Sequence, residues 1–161
     1  MSDADTALTY LAPVSEVAVD SQIARYSWKD RGRASSGYIK GMALVYASLL
    51  EDLANAGPVA TEMAMAPRTD SKDALGWYQD RFAAAGLESS GAGRDTLRHL
   101  FVLMTGLGMR ESSGRACEGR DQSASNGTAD TAEAGLFQCS QLFLPLNLGT
   151  KNIGLFTMGT N

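Results

Sequence analysis

The sequence predicts a mainly α-helical single domain with an irregular polar loop after its last helix. Three observations predict it. Apolar residues recur at three- and four-residue steps in three separate runs, the spacing of helices that bury one face. Glycine, proline, serine and threonine bound these runs, where helices start and stop. Finally, 161 residues with 44% apolar and 20% charged side chains suffice for one core and match ordinary globular composition.

Residues 1–35 read as an N-terminal arm with one short helix, containing Pro13 and the charged patch from Lys29 to Arg33. The helical domain spans 36–140. Its first helix runs from Gly37 to Ala56, with Ile39, Met42, Tyr46, Leu49, Leu50 and Leu53 at helical spacing, and Gly57-Pro58 ends it. A second helix starts at the Thr69-Asp70-Ser71 cap and carries Leu75, Tyr78 and Phe82 on one face until Gly86. The linker from Ser89 to Gly93 follows; with no strand before it, it is not a phosphate loop.

The third helix runs from Arg94 to Ser112 with a stripe of Leu97, Leu100, Phe101, Met104 and Leu107. Continuing that spacing from Leu107 lands on Glu111, so the carboxylate is expected in phase with the buried face. Ser113-Gly114 stop the helix. Residues Cys117 to Asp130 are rich in Ser, Asn, Asp and Gly and read as the irregular loop. The tail, 141–161, has a single charge, Lys151, and no periodicity.

Composition excludes several functions. The net charge of −4 and a pI near 4.9 leave no basic stripe to neutralise phosphates, so nucleic acid is not the partner. The apolar stretch from Ile39 to Leu53 is broken by Lys40, Glu51 and Asp52, so no membrane span is expected. No basic segment precedes an apolar one at the N-terminus, so no secretory signal is read and the default location is cytoplasmic. Cys117 and Cys139 bracket the polar loop: they either form a disulfide that staples it or remain reduced thiols. Two cysteines and one histidine match no metal-site spacing, so no metal site is expected. Nothing in the sequence fixes the oligomeric state.

The chemistry centres on Glu111. A carboxyl at the end of a buried helix face, beside the negative end of the helix dipole, is placed to hold a proton near neutral pH. That is what a general acid needs in order to protonate a glycosidic oxygen. A second carboxylate, where the reaction uses one, comes from Asp121, Asp130 or Glu133. His99 lies off the apolar stripe and is expected to be exposed, so no Ser-His-acid triad forms around Ser112 or Ser113. Trp28, Trp77 and Tyr78 are candidates for stacking on sugars, with Tyr78 expected in the core.

Glu111-Ser112-Ser113-Gly114 at a helix end, then a polar loop, then Ala134-Gly135-Leu136-Phe137-Gln138, resembles the lysozyme-like superfamily. The resemblance is especially to soluble lytic transglycosylases and goose-type lysozymes. The resemblance covers residues 97–140 and implies a lysozyme-like helical domain acting on a polysaccharide, with peptidoglycan first. It makes Glu111 the catalytic acid and places Ser112, Gly135, Leu136, Phe137 and Gln138 in the sugar-binding cleft, without a cofactor. A secreted or periplasmic location goes with that role.

Two departures stand out. The insertion from Cys117 to Thr131 exceeds the usual linker between these motifs. Only 23 residues follow Gln138, where the family continues with helices that form the far wall of the cleft. Two alternatives follow. The acidic pI suits cationic chitosan, as in a chitosanase- or chitinase-like hydrolase. A truncated lysozyme-like module that binds glycan or protein without cleaving it is the other.

Overall fold

Ser21 and Ser35 each turn a side-chain oxygen onto the helix that follows, and these two caps organise the first third of the chain. A computed structural model describes residues 12–68, 73–88, 90–117 and 133–140. Helix α1 covers residues 12–19, α2 spans Gln22–Arg25, and β1 (Ser27–Trp28) pairs antiparallel with β2 (Gly32–Arg33). Then come α3 (Ser36–Ala54), α4 (Pro58–Met63), α5 (Ala74–Trp77), α6 (Gln79–Ala84) and α7 (Arg94–Ser112). A hairpin of β3 (Glu133–Ala134) and β4 (Cys139–Ser140) closes the described chain. The protein is mainly helical, as its patterning predicts.

Helices α3 and α7 cross and share two apolar clusters. At one end, Leu97, Phe101 and Ala64 are buried among Val45, Tyr46, Leu49 and Leu53. Tyr46 and Phe101 meet there with ring centroids 5.2 Å apart. At the other end, Tyr38, Ile39 and Met109 collect Ile23, Trp28, Met42 and Leu136. Residues 12–35 therefore supply core side chains as well as two helices and a hairpin, more than one short helix.

The second predicted helix is two. Its start is Asp73, whose carboxylate accepts 2.9 Å bonds from the amides of Leu75 and Arg68. The Thr69-Asp70-Ser71 cap lies outside the described residues. The chain breaks at Tyr78 into α5 and α6, which turns Tyr78 outward while Leu75 and Phe82 stay buried. Helix α4 was not anticipated, although Pro58 occupies its first turn, where proline's fixed φ and missing N–H fit.

The α5–α6 unit also overturns the expectation for His99. This side chain is 1% exposed and stacks on Phe82 at 4.5 Å. Helix α3 covers one side of the first half of α7 and the α5–α6 unit covers another, so a position off the apolar stripe is buried too. Neither ring nitrogen has a hydrogen-bond partner among the described residues.

Candidate active site

Two glycines decide what the end of α7 exposes. Trp28 lies over Gly106, where an added Cβ would sit 3.4 Å from its ring. Tyr38 lies over Gly108, where a Cβ would collide with the phenol oxygen and come within 3.3 Å of Leu136. The Tyr38 hydroxyl donates a 2.9 Å bond to the Thr105 carbonyl, and burial pushes its pKa up to about 12. The glycine side of α7 thus faces inward, and the Leu107 side faces out.

This corrects the expected phase. Thr105, Gly108, Met109 and Ser112 are buried, whereas Leu107 is 48% exposed and Glu111 is exposed. Among the described residues, the apolar packing expected around the Glu111 carboxyl is not formed. The helix ends where predicted, with Ser113 (φ 57°) and Gly114 (φ 73°) both left-handed and the Gly114 amide returning to the Gly108 carbonyl.

The two motifs do come together. The buried Ser112 hydroxyl donates to the Leu136 carbonyl at 2.9 Å, with Gly108 O at 3.1 Å, and accepts the Arg115 amide at 3.1 Å. Leu136 packs into the Tyr38–Met109 cluster. Its turn is closed by Gly135 (φ 79°) and Gln138 (φ 46°), and the Gln138 amide donates to Gly135 O at 2.9 Å. Ser112, Leu136 and Gln138 thus engage in internal contacts that fix the hairpin to the helix end, and Phe137 is half-buried beside them.

Exposed Glu111 sits one residue before this tie. Glu133 enters the same neighbourhood on β3, and Cys139 on β4 feels both carboxylates. Burial first, then Glu133 and Glu111, push the Cys139 thiol up. Of the three candidate second carboxylates, Glu133 lies among the described residues; Asp121 and Asp130 lie outside them, as does most of the polar loop. Cys117 and Cys139 are free and exposed, so the stapling disulfide is not formed. Among the described residues, no three His, Cys, Asp or Glu side chains gather to hold a metal.

An open apolar groove of about 430 Å³ lies elsewhere, between residues 12–19 and α3, lined by Val14, Val17, Ala43, Tyr46 and Leu50 among others. It offers no carboxylate and shares no residue with the helix end. Among the described residues, no helix is long and apolar enough to cross a membrane. The chain matches no protein-family model, no curated protein and no solved structure.

Proposed function

We propose that this protein is a lysozyme-like glycan-cleaving enzyme, with Glu111 as general acid and a β-1,4-linked amino-sugar polymer, peptidoglycan first, as substrate. One observation supports the reading above the others. The Ser112–Leu136 bond draws together two motifs 24 residues apart and leaves Glu111 exposed beside them. A sugar chain laid over the end of α7 meets the exposed Glu111 carboxyl there.

Glu111 then passes its proton to the glycosidic oxygen as that bond breaks and positive charge builds on the ring. Either water or a hydroxyl of the same sugar attacks the ring carbon, and the Glu111 carboxylate takes the proton released. Where the reaction uses two carboxylates, Glu133 is the candidate that takes the proton from water in place of Glu111. No cofactor is required.

A second reading has its own support. Glu111 is exposed, without the apolar surroundings that a proton-donating carboxyl calls for. A lysozyme-like module that holds glycan without cutting it has no need of those surroundings.

The test incubates wild type and Glu111→Gln with peptidoglycan sacculi, chitin and chitosan, and identifies released sugars by mass spectrometry. Release by wild type that Glu111→Gln abolishes is expected. Release that survives the substitution sinks the acid role. Binding without release on all three polymers establishes the second reading. Products from chitosan alone move the substrate to that polymer, and 1,6-anhydro ends mark a transglycosylase.

A further inference from the structure

The α5–α6 unit stands outside both apolar clusters. Its two buried side chains, Leu75 and Phe82, belong neither to the Leu97–Phe101 cluster nor to the Tyr38–Met109 one. The unit docks on α7, where the Phe82 ring lies nearly parallel to the His99 imidazole, with centroids 4.5 Å apart and planes at 19°. Its departure uncovers one side of α7 and leaves the α3–α7 packing in place. Helices of four and six residues do not persist without a surface to pack on, so the unit melts once it leaves.

Beneath it lies a group suited to controlling that docking. His99 is 1% exposed, and neither ring nitrogen has a hydrogen-bond partner among the described residues. A neutral imidazole is tolerated there as an aromatic ring. An imidazolium carries a charge and two N–H donors, and burying a charge without partners is far costlier than leaving it in water. The Phe82 face attracts a cation and offsets part of that cost, but it offers no acceptor to either N–H at the ring edge.

Among the described residues, no carboxylate answers the charge with a hydrogen bond. On α7, Asp95 is exposed and paired with Arg98 at 2.9 Å, and Arg98 opposes protonation of His99 more than Asp95 favours it. On the α5–α6 unit, Asp73 accepts the amides of Arg68 and Leu75, and Asp80 and Arg81 are exposed, as is Tyr78. Glu88, just after α6, accepts the Ser90 amide. Glu62 of α4 and Arg68 beyond it are exposed.

We propose that His99 is an acid-operated latch: protonation of its imidazole releases the α5–α6 unit from α7 while the α3–α7 frame stays folded. In the released state the imidazolium reaches water, so proton uptake and opening are one event. The latch is independent of the glycan reading. It differs from general acid unfolding in where it acts, as a local opening of the least embedded unit.

The experiment follows amide hydrogen exchange of the full chain at pH 7.5 and 5.0, corrected for the intrinsic pH dependence of exchange, alongside an NMR titration of the imidazole. His99 is the chain's only histidine, so its ring signal is unambiguous. The amides of Trp77, Tyr78, Phe82 and Ala85, bonded within the unit, report its docking. With the ordinary histidine value of 6.5 in the opened state, their protection is expected to fall by up to ~30-fold over this range. Protection of residues 36–54 and 101–112 should hold. The fall should track the imidazole titration and vanish in His99→Phe, which keeps a ring against Phe82 and whose fold circular dichroism checks. A fall shared equally by α3 is global unfolding and overturns the latch. Constant protection of the four amides also overturns it, as does an imidazole that titrates without that loss, or a loss that persists in folded His99→Phe. All but the last are read on wild type, so a variant that fails to fold leaves the test decisive.

Discussion

The Ser112 hydroxyl donates to the Leu136 carbonyl across 2.9 Å, and this one bond fastens the β3–β4 hairpin to the end of α7. It is side chain to backbone, so it depends on the identity of residue 112 but only on the backbone position of residue 136. Ser112→Ala leaves the Leu136 carbonyl and the Arg115 amide without this partner, at a cost of about 1–3 kcal/mol. Urea denaturation should show that loss, and amide exchange should quicken in residues 133–140. Unchanged exchange there would mean that Leu136 packing alone holds the hairpin.

Gly106 and Gly108 should respond in opposite senses to alanine. At Gly106 a Cβ meets Trp28 at 3.4 Å, a contact a small ring shift relieves, and alanine gains up to about 1 kcal/mol of helix propensity. At Gly108 the Cβ collides with Tyr38 and crowds Leu136, so overpacking of about 1–3 kcal/mol outweighs that gain. Paired denaturation curves decide it. A more stable Gly108→Ala protein would show that Tyr38 does not dock there.

His99 predicts acid sensitivity. Burial foremost, then Arg98, hold its pKa below the ordinary 6.5, with Asp95 acting in the opposite direction. The folded state therefore favours neutral imidazole, and the unfolded chain binds the extra proton. This contribution to stability is complete above about pH 6.5 and is lost as pH falls below it. His99→Phe, which keeps a ring against Phe82, should flatten the fall in denaturation midpoint on the acid side of pH 6.5. Parallel pH profiles for the two proteins would place His99 in water.

Tyr38 predicts the opposite limb. Burial raises its pKa from 10.0 to about 12, so folded protein keeps the phenol neutral where unfolded protein ionises it. The associated stability is present below pH 10 and declines as pH rises towards 12. Ultraviolet titration should show a late-ionising phenol that Tyr38→Phe removes. The same substitution deletes the bond to Thr105 O and costs about 1 kcal/mol near neutral pH. Full phenol ionisation by pH 11 would contradict this burial.

Much of the helical frame was legible in local signals. The limits of α7, Arg94 and Ser112, follow from a glycine-rich linker before it and Ser113-Gly114 after it. Helix α3 lies within two residues of its predicted limits for the same reason. Helix α4 is legible in Pro58, whose fixed φ suits a first helical turn. The break at Tyr78 is not, because an apolar spacing that suits one helix also suits two short ones packed on the same neighbour.

The sequence by itself determined a mainly helical chain, the end of α7 and the order of the two motifs near Glu111. Tertiary structure decided which side of α7 is inside. Helical periodicity marks large apolar residues, so it pointed to the Leu107 face. The aromatic rings of Trp28 and Tyr38 instead approach through Gly106 and Gly108, where the missing side chains give room and periodicity registers nothing. That close approach turns Glu111 outward, buries Ser112, and allows its hydroxyl to reach a carbonyl 24 residues away.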